Sequence, residues 1–302
     1  MGAGLAGLEY ATAAWGDYNN DGYPDLLMTG MDASATARTF VYKNNGGASL
    51  TALPGSFSGV AEGAAIWGDM DNDGDLDFVV SGSPALPWGN PPPVPEVPVF
   101  EVYLNQGGDL FTASAPGLIL MEQGRLACGD YDNDSDLDLL LCGELVNPIS
   151  GTIGHTVILR NNTSSVNAPP SAPAGLTYEV SGTDVQVSWD ASTDDHTPQQ
   201  GLGYNLRMGT TEGNMDIFSA LANLSTGYRR VVSTGNASQN TSWVIDSLAF
   251  GQYYASVQAL DHNYAGSAFS ATLAIEVVPL ATFSVVDSIC IFDQATITYT
   301  GN

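Results

Sequence analysis

The chain has 302 residues, more than one ordinary domain, so two or more compact units are expected. Its 33 acidic against 7 basic side chains leave a net charge of -26, which excludes nucleic acid and anionic membrane as partners because no basic patch for phosphate contacts can be assembled. Charged residues are only 13% and apolar ones 44%, so the acidity belongs to a folded chain and not to a disordered one.

Met1-Gly-Ala-Gly-Leu lacks the basic start and apolar core of a signal peptide, and no stretch approaches the roughly 18 consecutive apolar residues of a membrane span. The first informative element follows at once. The phrase Asp17-Tyr-Asn19-Asn-Asp21-Gly22-Tyr-Pro-Asp25 recurs as Asp69-Met-Asp71-Asn-Asp73-Gly74-Asp-Leu-Asp77 and as Asp130-Tyr-Asp132-Asn-Asp134-Ser135-Asp-Leu-Asp138. These loops hold 13 of the acidic side chains, a concentration that self-repulsion opposes unless a cation is bound. Oxygen side chains at positions 1, 3, 5 and 9 with a tight turn at 6 suit a hard cation such as Ca²⁺. The predicted ligands are Asp17, Asn19, Asp21 and Asp25; Asp69, Asp71, Asp73 and Asp77; and Asp130, Asp132, Asp134 and Asp138, about three sites in all. An EF-hand is excluded because position 12 is Met28, Val80 or Leu141, all apolar where a carboxylate is needed.

Each phrase lies between short apolar runs, Ala13–Gly16 and Leu26–Met28, Ala65–Gly68 and Phe78–Val80, Leu126–Gly129 and Leu139–Leu141. Such runs bounded by turn residues predict buried strands, so each loop is expected to join two antiparallel strands and to offer a position-7 backbone carbonyl to the ion. A third strand ends in the turns after Asn44, Asn105 and Asn161, and a fourth is predicted at 48–53 and 110–113. Four strands per unit is a propeller blade. The loops start 52 and then 61 residues apart (69 − 17 and 130 − 69), the extra length being the Pro-rich insertion Ser83–Pro98, an extended surface loop carrying Trp88 as a candidate partner contact.

These phrases, with Ala14-Trp15-Gly16 and Trp67-Gly68 before them, resemble FG-GAP/VCBS repeats, the blades of integrin-type β-propellers, over roughly residues 5–165. The resemblance implies calcium in hairpin loops on one propeller face, serving stability or adhesion. Ser135 stands where the family has glycine, and a left-handed backbone there would cost about 1 kcal/mol, marking loop 3 as the weakest or most strained. Three blades do not close a ring, so further blades, with a secretion signal, are expected upstream of Met1 in a longer protein.

Residues 166–175 read as a linker. Beyond it, alternating runs such as Val185–Trp189, Tyr204–Met208 and Tyr253–Ala259 predict a β-sandwich. Residues 173–278 resemble a fibronectin type III domain, with Trp189 as its core tryptophan and either Tyr253 or Tyr254 in its tyrosine corner. Residues 279–302 faintly resemble the truncated start of a PKD-like domain. The fold expected is all-β: a partial β-propeller of three four-stranded blades over 1–165, then a fibronectin type III β-sandwich.

No catalytic residue is assigned. His155, His196 and His262 lack zinc spacing, and phosphate loops and nucleophile elbows are absent. Asp194-Asp195-His196 reads as a solvated loop, with a ligand cluster as the lesser reading. The sequons at Asn161, Asn162, Asn223, Asn236 and Asn240 read as chance. Cys128 and Cys142 are small buried thiols or a disulfide pair, and Cys290 makes the count odd. The functional expectation is a calcium-binding, non-enzymatic adhesion or display region of a secreted or surface-anchored, bacterial, multidomain protein, with an extracellular protein or glycan as ligand. The alternatives are a non-catalytic accessory region of a secreted hydrolase, binding carbohydrate, and a plain spacer.

Overall fold

Each acidic phrase closes a β-hairpin in the same register. The computed structural model describes residues 4–84, 97–114, 121–147, 151–279, 283–285 and 297–299, and contains no helix among them. Strands β1 (Glu9–Gly16) and β2 (Asp25–Met31), β5 (Ala61–Gly68) and β6 (Asp77–Ser83), and β9 (Met121–Gly129) and β10 (Asp138–Asn147) are antiparallel pairs. In them Gly16 faces Asp25, Gly68 faces Asp77 and Gly129 faces Asp138, so position 9 is always the first residue of the returning strand.

Two of the sheets are completed as expected. The first adds β3 (Ala37–Asn44) and β4 (Leu50–Ala52), the second β7 (Val99–Asn105) and β8 (Phe111–Ser114), each in meander order. The third has only three described strands, β11 (Gly151–Leu159) lying beside β10. After β11 the chain does not turn back to extend its own sheet. Asn161 Nδ2, Thr163 Oγ1 and Ser165 Oγ instead donate to the carbonyls of Met70, Asp71 and Asn72, drawing residues 161–165 across the acidic loop of the second sheet.

A bulge repeats with the loops. Tyr10, Glu62 and Gln123, each seven residues before the first aspartate of its phrase, have φ near +50°. Gly30, Gly82 and Gly143 lie opposite, where an added Cβ would press on the carbonyls of Glu9, Ala61 and Glu122. Such bulges sharpen the local twist of a strand pair.

The sheets pack face to face in series, with β5 in contact with both β1 and β9. Between the first and second lies an aromatic core in which Phe78 stacks on Tyr103 at 4.7 Å and Trp67 on Tyr18 at 6.1 Å. Burial of each such side chain contributes about 1.5–3 kcal/mol. Trp67 Nε1 also donates to Ala14 O across the sheets at 3.1 Å. A separate apolar cluster around Met70, Val79, Leu139 and Leu141 joins the second and third. The three form an open arc, not a closed ring. Trp15, the counterpart of buried Trp67, has no described sheet on its side and is 63% exposed.

The second unit is a sandwich of two three-stranded sheets. One has the order β12 (Thr177–Ser181), β13 (Asp184–Ser188), β15 (Ser242–Ile245), and the other β14 (Gly203–Gly209), β16 (Gly251–Leu260), β17 (Leu273–Val277). Val185, Val187, Trp189, Leu206, Val257 and Ile275 fill the space between them. Tyr253 is buried and its hydroxyl donates to Ala249 O at 2.9 Å, while Tyr254 is only partly buried. The segment read as a linker is strapped to this unit: Asn167 Nδ2 donates to Asp261 Oδ2, and Ser171 N to Thr193 O. A ribbon of β18 (Phe283–Val285) and β19 (Ile297–Tyr299) follows. Trp88, Cys290 and most of the predicted PKD-like start lie outside the described residues. Cys128 and Cys142 are free thiols. No described helix is long and apolar enough to cross a membrane.

Candidate metal centres

The three loops share one hydrogen-bond plan. The position-1 aspartate accepts from the amides of positions 5 and 6: Asp17 from Asp21 and Gly22, Asp69 from Asp73 and Gly74, Asp130 from Asp134 and Ser135, at 2.8–3.1 Å. The position-9 aspartate accepts from the amide of position 2 with one oxygen, at 2.7–3.1 Å for Asp25, Asp77 and Asp138. These bonds wrap the loop around its own carboxylates and draw positions 1, 3 and 9 together. The turn needs left-handed backbone at positions 4 and 6. Asn20, Asn72 and Asn133 have φ of 56–59°, while Gly22, Gly74 and Ser135 have φ of 85°, 93° and 72°. Ser135 therefore adopts the strained conformation expected of it.

In loops 2 and 3 one oxygen from each of Asp69, Asp71 and Asp77, and from each of Asp130, Asp132 and Asp138, lies within 4.8 Å of the others. Two oxygens on opposite sides of an ion at about 2.4 Å are about 4.8 Å apart, so both triads fit one hard cation. Asp71 Oδ1 and Asp132 Oδ1 are buried without a hydrogen-bond partner, a costly arrangement that a bound ion would relieve. In loop 1 Asn19 replaces the position-3 carboxylate, and no such acid triad forms there among the described residues. Asp73 and Asp134, predicted ligands at position 5, are not in the triads.

Burial sets the electrostatics. It pushes the carboxyls of Asp25 and Asp69 up to about 7 and that of Asp77 to about 8, with neighbouring aspartates adding to the shift, and raises Asp17 and Asp71 as well. Without a cation these groups resist ionisation; a divalent ion reverses that balance. Loop 3 differs. Arg160 places Nε 2.8 Å from Asp132 Oδ2 and Nη2 2.7 Å from Asp134 Oδ2, and the guanidinium holds Asp134 below the usual carboxylate range.

A recurrent residue beyond the predicted ligands anchors each loop. Asn44, Asn105 and Asn161, read from the sequence only as turn residues, donate their backbone amides to the second oxygen of Asp25, Asp77 and Asp138 at 2.7–2.9 Å. Their side-chain amides donate to the carbonyls just before those aspartates, Pro24, Leu76 and Leu137. Asn105 and Asn161 also reach the preceding sheet, at Tyr18 O and Met70 O. The signal was an asparagine at the end of the third strand, or two residues past it in the third repeat.

The loop face is not free, because the sandwich lies against it. Gln239 Nε2 donates to Asp17 Oδ2 at 2.7 Å, His262 Nδ1 meets Gly74 O at 2.8 Å, and Asn263 Nδ2 donates to Asn72 Oδ1 at 2.6 Å. Burial holds the His262 imidazole down near 4, hence neutral. The Asp194–Thr197 loop is part of this contact: an added Cβ at Gly74 would overlap the His196 carbonyl.

Hairpin-borne acidic loops on an arc of three- and four-stranded sheets define a β-repeat protein with candidate cation sites. Residues 17–80, from the first position of loop 1 into β6, match the FG-GAP-like repeat family. No curated protein matches the chain.

Proposed function

We propose that this chain is a calcium-stabilised, non-enzymatic region of an extracellular multidomain protein, acting in adhesion or display. The observation that carries the metal reading is the pair of aspartate triads with oxygens within 4.8 Å, each holding a buried, unpartnered carboxylate oxygen. Asp69, Asp71 and Asp77 would hold one ion and Asp130, Asp132 and Asp138 another, with Asp17, Asn19, Asp21 and Asp25 forming the site in loop 1. The ion would supply positive charge that fixes each hairpin. The extracellular setting rests on the FG-GAP-like match. The sheet orders of the second unit, and the Tyr253 corner, support a fibronectin type III-like spacer.

Thermal unfolding of the chain in calcium and in chelator tests the proposal. An ion that binds only the folded state at 100 times its Kd adds about 2.7 kcal/mol per site, so melting should rise by many degrees. Unchanged melting would leave the loops as solvated turns.

A further inference from the structure

The sandwich touches loop 1 at a predicted ligand. Asp17 Oδ2 accepts from Gly22 N at 2.8 Å and from Gln239 Nε2 at 2.7 Å, which fills both lone pairs of that oxygen and leaves Oδ1 as the one with capacity to spare. In the other loops the corresponding oxygens of Asp69 and Asp130 receive only the position-6 amide as a described donor. Loop 1 is also the poorest in charge, with three carboxylates among its predicted ligands where loops 2 and 3 have four. Gln239 precedes β15 and lies 222 residues from Asp17, so this bond exists only while the sandwich is seated on the blades. Asn20 of the same loop packs against Gly201, where an added Cβ would overlap Asn20 Oδ1.

We propose that Gln239 is a positioning residue for the loop-1 ion, and that calcium in loop 1 and docking of the sandwich strengthen each other through it. The inference rests on the calcium reading above. A donor behind a ligating carboxylate orients it toward the ion, and losing such an outer partner typically weakens metal binding 10- to 100-fold. Linkage is reciprocal: whatever seating the sandwich does for calcium affinity, calcium does for seating. Loops 2 and 3 lack this bond and are independent of Gln239.

The test uses the full chain, titrated calorimetrically with calcium chloride as wild type, Gln239→Leu and Gln239→Glu, with Asp17→Asn to identify the loop-1 site. In Gln239→Leu the site that Asp17→Asn abolishes should weaken roughly 10-fold while the other two hold. Gln239→Glu loses the same donor but adds a charge that attracts the cation, so its loop-1 affinity should lie above that of Gln239→Leu. Hydrogen exchange over residues 234–240 should slow on adding calcium in the wild type and not in Gln239→Leu. Unchanged affinities and unchanged calcium-dependent protection in Gln239→Leu would overturn the coupling and leave the loop sites standing. No calcium uptake by the wild type would end both readings.

Discussion

Replacing Asn105 with alanine should cost far more than the same change at Asn44, although the two occupy equivalent places. Asn105 is 2% exposed; its Nδ2 donates to Tyr18 O at 2.8 Å and Leu76 O at 3.2 Å, and its Oδ1 accepts from Gly107 N at 3.0 Å. Each bond contributes about 1 kcal/mol net, and a buried carbonyl left unsatisfied costs about 1–3 kcal/mol more. The Asn105→Ala loss is therefore about 4–6 kcal/mol. Asn44 is half-buried, its side chain bonds Pro24 O and Gly47 N in solvent-accessible settings, and water can replace it, for a loss of about 1 kcal/mol. The backbone amides that serve Asp25 and Asp77 survive in both variants, so the comparison isolates the side chains. Urea unfolding in saturating calcium reads the difference. Equal losses, or an Asn105→Ala loss below about 1 kcal/mol, would refute the claim that this asparagine ties neighbouring sheets together.

Ser135→Gly should stabilise the chain by about 0.5–1 kcal/mol in the same assay, because φ of +72° suits glycine and the Ser135 amide bond to Asp130 is kept. A loss of stability would show that the serine side chain matters. Arg160→Leu frees Asp132 and Asp134 from their guanidinium, so the loop-3 site should bind calcium more tightly; weaker binding would mean Arg160 organises the site instead of competing for it. Asp261 carries the pH dependence of the linker contact. Burial pushes its carboxyl up to about 7, with Asp194 nearby adding to the shift, while Asn167, Asn263 and Ala265 donate to it. A raised carboxyl stabilises the fold fully below its ordinary value of about 4 and loses that contribution as pH climbs through about 7. Asp261→Asn should flatten this decline between pH 4 and 8, measured as urea midpoints in saturating calcium; parallel curves for the two proteins would refute it.

Local repetition made the blades readable. Glycine before each loop and apolar residues after it placed the hairpins, and Asn105 and Phe111 bracketed a fourth strand that forms as expected. The third repeat broke the pattern because residues 161–165 bond to the neighbouring loop, a contact spanning about ninety residues that no local signal carries. In loops 2 and 3 the position-1 and position-9 aspartates converge, held by amides of their own loop and, at position 9, also by the amides of Asn105 and Asn161. Asp134 is claimed by Arg160, and Gln239 and His262 become parts of the loop face only through docking of a distant unit. Of the two candidate tyrosines, Tyr253 is the one that is buried with its hydroxyl bonded to Ala249 O, a choice set by packing and not visible in the run Tyr253-Tyr254. Asp194–His196 looked like a free polar turn because a sequence does not show what packs against it.

Calorimetric titration of the whole chain with calcium tests the central claim most directly. The account predicts uptake of about three ions, falling by one in Asp77→Asn as loop 2 loses a ligand that also holds Met70 and Asn105. Absence of measurable uptake at millimolar calcium, or uptake indifferent to Asp77, would contradict it.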